Sequence, residues 1–444
     1  MRLLLINPWI YDFAAYNYWA EPLGLHYTAS FLEHCGAEID FIDCLTSDEN
    51  PNPGLKPDGR SKFHRKVINP PSCLDFVVRR GERTYARYGI NEEEFISKLR
   101  GLERPDAVLV TSIMTYWYPG AFRVIELVRA RLPKVPVVLG GIYARLCTRH
   151  ATGSDADYIF TDTDLSTLPE IIEKLTGKKL PVKANSWNLG NAPFPFRRRE
   201  RRFFAILTRT GCPYSCTYCA CGYLWPGGFA RETASVVEEA VDAARLTGIH
   251  NIAFYDDALL IDADRHIIPI VEELHARMPD LAFHLPNGIH AGLVTQRIAT
   301  LFHTAGVKSI RIGLETADET VQRDTGGKTT SGAYRNAVDL LRKAGYRREN
   351  IGTYALAGLP GQKPEDVEKT IDLIYEAGGA PLLAYFSPIP HTPLWKTAAR
   401  SSPLPIEREP LLHNNTVYIR GNPDYGEQAI HALRDRAAEL RKQD

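Results

Sequence analysis

Cys212, Cys216 and Cys219 follow one another at C-x-x-x-C-x-x-C spacing in Arg209-Thr210-Gly211-Cys212-Pro213-Tyr214-Ser215-Cys216-Thr217-Tyr218-Cys219-Ala220-Cys221. Three thiolates on so short a loop are a soft donor set, suited to iron–sulfur or zinc. A four-iron cuboid held by three thiolates keeps one iron open to an outside ligand. Gly211 lets the backbone bend beside such a cluster, and Ser215 and Thr217 can donate hydrogen bonds to its sulfurs. A structural zinc site is the first alternative, but it calls for a second pair of ligands, and no cysteine follows Cys221. Unliganded core thiols are the second. Cys221, one residue beyond Cys219, cannot readily reach the same cuboid face and is set aside as a ligand.

The loop must be carried by something, and the run before it, Phe203–Thr208, reads as a strand. It opens an alternating series with further strands over 251–255, 282–285, 309–314, 351–357 and 382–386. Helices over 235–247, 264–277, 295–306, 330–344 and 364–377 follow the first five. Ser235-Val236-Val237-Glu238 fits a capping box, and Pro364 followed by two acids suits a first helical turn. Six βα-like units are too few for a closed eight-fold barrel, so a partial (β/α)6 barrel over 203–395 is expected, with chemistry at the carboxyl ends of its strands.

A second series occupies residues 1–176, with strands over 2–7, 39–43, 107–111, 135–139 and 158–161 and helices over 23–34, 120–132 and 167–175. This spacing predicts an α/β domain, a doubly wound Rossmann-like sheet of about five parallel strands. Between Leu45 and Arg104 the periodicity fails apart from a short helix over 92–100, with Asn91 as N-cap and Gly101 just past its end. The stretch reads as a structureless insertion. Residues 177–202, with Pro181, Pro193 and Pro195 and the basic run Arg197–Arg202, read as a linker. The rest, 396–444, is a short tail ending in a charged helix over 427–442. In it Leu411-Leu412-His413-Asn414-Asn415-Thr416 is either a substrate contact or an ordinary turn.

Composition narrows the function classes. The 53 basic and 53 acidic side chains of the 444-residue chain cancel, which argues against a nucleic-acid binder. No apolar run approaches the ~20 residues of a spanning helix, and the start lacks signal-peptide features. A cytoplasmic protein is expected, with its eight cysteines reduced.

The cysteine loop at the head of a six-unit series resembles the signature of the radical S-adenosylmethionine superfamily. Further segments match that family: Phe254-Tyr255-Asp256-Asp257, His284-Leu285-Pro286-Asn287-Gly288, Arg311-Ile312-Gly313-Leu314-Glu315-Thr316, Gly358-Leu359-Pro360-Gly361-Gln362 and Ser387–Pro393. The resemblance implies that Cys212, Cys216 and Cys219 hold a 4Fe–4S cluster whose fourth iron is chelated by S-adenosylmethionine, with Tyr218 close to the adenine. Glu315 would accept hydrogen bonds from the ribose or the methionyl ammonium, unless it is held in a rim salt bridge with Arg311. The turn at Gly358, Pro360 and Gly361 would admit the adenine, unless it is a bare tight turn. Asp256 and Asp257 would face the mouth, one positioning cofactor or substrate and the other capping the next helix. His284, Asn287 and His290 are candidates for proton transfer or substrate binding, a satisfied core histidine being the alternative.

The front domain resembles the cobalamin-binding domain of one large branch of that superfamily, through Asn7-Pro8, Pro22-Leu23-Gly24, Thr111-Ser112-Ile113-Met114-Thr115 and Leu139-Gly140-Gly141-Ile142-Tyr143. In that branch Ser112, Gly140 and Gly141 would lie beside the nucleotide tail of cobalamin. The chain departs from the pattern twice: it has no D-x-H-x-x-G, and the usual G-E-x-E is Thr161-Asp162-Thr163-Asp164. Some members keep the fold without cobalamin, in which case the domain is a cap. The resemblance implies reductive cleavage of S-adenosylmethionine to a 5′-deoxyadenosyl radical that attacks an unactivated C–H bond. Cobalamin-dependent methyl transfer is the leading outcome; radical rearrangement, coupling and sulfur insertion are alternatives. The implied partners are a small-molecule substrate and a reductant such as flavodoxin or ferredoxin. The rivals are a tRNA-modifying radical enzyme, for which the tail is too short and helical, and a non-catalytic iron–sulfur sensor.

Overall fold

A computed structural model describes residues 1–47, 50–78, 83–181, 194–195 and 202–443. Most of the expected linker, with Pro193 and the basic run as far as Arg201, lies outside the described residues. The chain forms two compact units, residues 1–200 with 406–414 and residues 201–405 with 415–444.

In the first unit, strands β1 (Arg2–Asn7), β2 (Glu38–Asp43), β3 (Ala107–Val110), β4 (Val137–Leu139) and β5 (Tyr158–Ile159) pair in parallel in the order β5-β4-β3-β1-β2. Helices α1 (Leu23–His34), α2 (Glu92–Gly101), α3 (Tyr118–Arg131) and α4 (Leu168–Thr176) cover it. Successive strand residues face opposite ways, so Leu3 and Leu5 pack with Phe31 of α1 and Ile172 of α4, while Leu4 and Ile6 pack with Phe95 of α2 and Val124 of α3. Burial on both faces is why β1, β3 and β4 read as unbroken apolar runs. The strand order reverses between β1 and β3, which places a crevice at their carboxyl ends.

The segment 45–104 is not structureless. Ser61–Lys62 pairs antiparallel with Tyr16–Asn17, and Arg65–Val67 and Ala86–Tyr88 form a three-stranded sheet with Ile10–Asp12. Strands of two or three residues are too short to show alternation in a sequence. Asn91 caps α2 as expected, accepting from the Glu94 N–H at 2.7 Å, but Gly101 is the last helical residue and not the one beyond.

In the second unit, β6 (Phe204–Ile206), β7 (Asn251–Phe254), β8 (Ala282–Ile289), β9 (Val307–Glu315), β10 (Ile351–Ala357) and β11 (Ala380–Tyr385) pair in parallel and in chain order. Among the described residues β6 and β11 do not pair with each other, so the barrel is open, as expected. Helices α5 (Thr233–Thr247), α6 (Ile267–Arg277), α7 (Gln296–Thr304), α8 (Ser331–Lys343) and α9 (Pro364–Glu376) follow the first five strands. The expected capping box is absent: α5 begins at Thr233, so Ser235 is already helical and its hydroxyl accepts from Arg231 at 3.0 Å.

Residues 396–444 are not a separate tail. Helix α10 (Glu427–Leu440) packs on α9 and β11 and buries Ile430 and Leu433 in the second unit's core. Residues 406–414 return to the first unit as a strap. There the His413 ring pairs with the Thr115 hydroxyl at 3.0 Å and the Ile406 carbonyl at 2.8 Å, and Asn414 donates to Asp12 at 2.8 Å. Both side chains are buried, so in this segment they are structural and do not present themselves to a substrate. Among the described residues no helix is long and apolar enough to cross a membrane.

Candidate functional site

The cysteine loop leaves β6 through a short hairpin, Arg209–Thr210 paired antiparallel with Phe229–Ala230. The hairpin is anchored by Arg231, whose N–H bonds the Thr208 carbonyl at 2.9 Å and whose guanidinium meets Glu239 of α5 at 2.5 Å. Both side chains of that pair are essentially buried. Within the loop the Cys219 N–H bonds the Cys216 carbonyl at 3.0 Å, and the Cys221 N–H reaches the Cys219 sulfur at 3.4 Å. Two longer ties fix it: the Thr217 N–H to the Thr325 carbonyl at 3.1 Å, and the Leu394 N–H to the Thr217 carbonyl at 2.9 Å. Gly326 takes φ +116°, and a Cβ there would lie 3.1 Å from the Cys216 Cα. Only glycine lets this turn back the loop so closely.

All three thiols are free, with Cys216 buried, Cys212 half-buried and Cys219 exposed. Among the described residues no three Cys, His, Asp or Glu side chains close on a single metal ion. A cuboidal cluster asks for a wider set, one thiolate per iron, and three free thiols on one braced loop fit that demand. An amide N–H aimed at the Cys219 sulfur is the kind of contact that stabilises a cluster thiolate. Cys221 is engaged elsewhere: it is buried at the start of a short helix, Cys221–Leu224, and its thiol hydrogen-bonds Asp257.

The two acids after β7 also serve the loop. Asp256 is buried, and its Oδ1 accepts from the Thr208 N–H at 3.0 Å, the Thr208 hydroxyl at 2.6 Å and the Arg209 N–H at 2.6 Å. Its Oδ2 has no hydrogen-bond partner. Burial outweighs those donors and pushes the carboxyl up to about 7. Asp257 accepts the Gly211 N–H at 3.0 Å. Neither caps α6, whose N-cap is His266. Asp256 is therefore a brace under the cysteine loop.

The mouth is built at the end of β9. Tyr218, Glu315, Thr325 and Lys328 line one small pocket. Glu315 takes φ +68° beside a break in the β9–β10 register, a costly conformation for a residue with a Cβ that persists where the surroundings enforce it. Its charged neighbour is Lys328, which opposes the upward push of burial on the carboxyl; Arg311 instead donates to the Ile310 carbonyl at 3.1 Å. Tyr218 bonds Cys216 and is pushed up by burial. Lys328 and the Thr325–Gly327 turn are candidate site residues that the sequence reading passed over, although Gly326-Gly327-Lys328 was a visible signal.

His284 is not in this mouth. It lies near the amino end of β8 with its ring nitrogens bonded to Ser309 at 3.2 Å and Asn251 at 3.1 Å, a satisfied core histidine. Asn287 lies farther along β8 and donates to the Tyr255 carbonyl at 2.9 Å and the Asp256 carbonyl at 3.2 Å, tying β8 to the end of β7. The histidine at the carboxyl end is His290, whose ring is 4.4 Å from that of Tyr214 in the cysteine loop. Its Nδ1 accepts the Gly292 N–H at 3.1 Å and its Nε2 is buried without a partner. Burial, aided by Lys328, lowers it to about 4. The turn at Gly358, Pro360 and Gly361 is closed from within, since Gln362 Oε1 accepts the Gly358 N–H at 2.9 Å and the Leu359 N–H at 3.2 Å. Those two donors are already used within the turn.

In the first unit, Ser112 follows β3 at the crevice, and its buried hydroxyl has no partner. Gly141 takes φ +91°, and a Cβ on it would come within 2.6 Å of the Ser112 carbonyl oxygen. Its glycine is thus required by the chain's own backbone. Gly140 would meet only ordinary contacts, 3.7 Å to Phe160. An orphaned hydroxyl at the switch point fits a polar ligand such as the cobalamin tail. Asp164 caps the next turn, accepting from the Ser166 N–H at 2.9 Å.

Residues 206–374 match the family model described as Radical SAM superfamily, and residues 78–172 match that of the B12 binding domain. The chain carries a radical SAM domain behind a B12 binding domain. The radical SAM domain is that of an enzyme class that uses a 4Fe–4S cluster and S-adenosylmethionine. Among curated relatives it is 20% identical to the cytidylyl-2-hydroxyethylphosphonate methyltransferase of Streptomyces wedmorensis, over 85% of this chain and 77% of that one. Among solved structures, the radical S-adenosylmethionine methyltransferase TsrM from Kitasatospora setae, with cobalamin and [4Fe-4S] cluster bound, gives a TM-score of 0.67 at 17% identity, covering 99% of this chain and 88% of that one. The cobalamin-dependent radical enzyme OxsB with aqua-cobalamin bound gives 0.60 at 14% identity, covering 99% and 61%. These likenesses show that this radical SAM chain shares their fold, a Rossmann-like unit followed by a partial barrel.

Proposed function

We propose that this radical SAM enzyme is a cobalamin-dependent methyltransferase acting on an unactivated carbon of a small molecule. The observation that carries the reading is the braced loop of three free thiols whose Tyr218 lines a pocket with one cation and one anion, Lys328 and Glu315. The methionyl end of S-adenosylmethionine is a zwitterion: Lys328 suits its carboxylate, and Glu315 its ammonium or ribose. When bound, the cluster supplies the electron that cleaves S-adenosylmethionine to a 5′-deoxyadenosyl radical, and cobalamin supplies the methyl-carrying chemistry. The chain's part is to orient and to exclude water. Tyr218 borders the pocket, His290 offers a neutral ring nitrogen at the mouth, and Ser112 offers a hydroxyl to the corrinoid. The methyltransferase names of two relatives aligned over most of the chain support methyl transfer over rearrangement. The electron donor is a reductant of the flavodoxin or ferredoxin type, and the setting is cytoplasmic.

The test is anaerobic purification and reconstitution, followed by iron and sulfide content, retained corrinoid, and 5′-deoxyadenosine and methylated product formed with dithionite. A loaded cluster that releases no 5′-deoxyadenosine, S-adenosylhomocysteine or methylated product would refute catalysis. Radical cleavage without bound corrinoid would move the reading to a cobalamin-independent transformation. Cys212→Ala, Cys216→Ala and Cys219→Ala should each lose the cluster absorbance, and Cys221→Ala should keep it.

A further inference from the structure

The first unit carries a cavity of about 460 Å³ that has no part in the reading above. That volume is in the range of small-molecule sites. Its floor is aromatic, from the buried rings of Phe13, Phe63 and Tyr88. Its rim is cationic: Lys62, Arg65 and Arg83 all line it, and among the described residues no carboxylate does. Phe13 follows Ile10–Asp12 and so lies within a few residues of the carboxyl end of β1, on the side where ligands of open α/β sheets bind.

The cavity gathers three cations in one place. Several other cations of the unit are matched with acids: Arg2 with Glu38, Arg60 with Asp58, Arg87 and Arg123 with Glu92, Arg129 with Asp157, Lys178 with Asp106. Among the described residues Lys62, Arg65 and Arg83 pair with no carboxylate, and Arg65 instead bonds the Tyr88 hydroxyl at the cavity wall. The short pairings Ser61–Lys62 with Tyr16–Asn17 and Arg65–Val67 with Ala86–Tyr88 hold two of the cations on ordered backbone. Three converging cations suit a doubly charged oxyanion better than a single carboxylate, since arginine offers paired donors to phosphate oxygens. The aromatic floor suits a planar ring.

We propose that this cavity is a recognition site for a phosphorylated, ring-bearing small molecule. Cobalamin's nucleotide tail also joins a phosphate to a ring, but nine of the twelve lining residues lie outside the B12 binding domain match at 78–172. The hydroxocobalamin arm below separates the two occupants.

Calorimetry on the full chain tests this with cytidine 5′-monophosphate, cytidine and inorganic phosphate as probes. The monophosphate should bind, weaken with added salt, and exceed both cytidine and phosphate by about tenfold or more. Lys62→Ala and Arg65→Ala should each weaken it about tenfold with unchanged melting temperature, because Lys62 and Arg65 are exposed. Preloading with hydroxocobalamin should leave it intact. Failure of the monophosphate to bind, equal binding of cytidine or phosphate, variants that bind as the native chain does, or displacement by hydroxocobalamin would each overturn the proposal. None of these readouts depends on cluster loading or turnover, so they are separable from the methyltransferase test.

Discussion

Asp256 gives a sharp test of how the cysteine loop is braced. Its carboxyl is pushed up to about 7 by burial, despite the donors from Thr208 and Arg209. In the unfolded chain it returns to about 3.9. A raised folded value means that the folded state favours the protonated form, so the associated stability is full below the unfolded value and falls as pH rises through 7. Just over three pH units at about 1.4 kcal/mol each gives ~4 kcal/mol in all, of which ~2.5 kcal/mol is lost between pH 5 and pH 8. Asp256→Asn keeps an oxygen for the Thr208 and Arg209 donors and cannot ionise. Urea denaturation of the cluster-free full chain should therefore show the variant gaining on the native protein by about 2.5 kcal/mol from pH 5 to pH 8. Parallel stability profiles for the two proteins would refute the reasoning, because they would mean that Asp256 does not titrate in that window.

Glu239→Ala strands the buried Arg231 guanidinium, and should cost ~3–5 kcal/mol by urea denaturation, more than any single exposed ion pair of the same unit. Gly326→Val forces a side chain against the Cys216 backbone, where a Cβ alone would lie at 3.1 Å; iron content after reconstitution should fall sharply while circular dichroism stays native. Gly141→Ala places a methyl 2.6 Å from the Ser112 carbonyl oxygen at φ +91°, and should lower the first unit's thermal stability by more than ~1 kcal/mol. His284→Ala removes a core ring bonded to Ser309 and Asn251; it should cost stability by ~1–3 kcal/mol yet still support 5′-deoxyadenosine formation once folded, whereas His290→Ala should alter turnover.

The cysteine loop was legible because its information is local: three thiols at fixed spacing behind an apolar strand. The main strands were legible because burial on both faces leaves an apolar run. The inclusion of His284 beside His290 among the candidates has a specific cause. Pro286-Asn287-Gly288 reads as a turn, so the third strand of the second unit should end at Leu285 and present His284. The strand instead continues to Ile289 through a register shift between His284 and Gly288, which carries the carboxyl end on to His290. Asp256 was recognised as an acid at a strand end, but its partners, Thr208 and Arg209, are 48 and 47 residues away, and no short-range pattern encodes them. The strap was missed for the same reason, since Asn414 finds Asp12 across 402 residues.

That strap has a consequence for how the protein is made. The first unit's core strands emerge from the ribosome before the strap, and Asp12 and Thr115 cannot meet Asn414 and His413 until 402 and 298 further residues have been synthesised. At ~5–20 residues per second the wait is of order tens of seconds, during which the front sheet exists with a buried carboxylate short of one donor. A fragment ending at residue 200 would stay in that unfinished state permanently. The front unit is thus contiguous in space but not in time, and recombinant excision of the domain at its apparent boundary should give a less stable protein than the same residues have in the full chain.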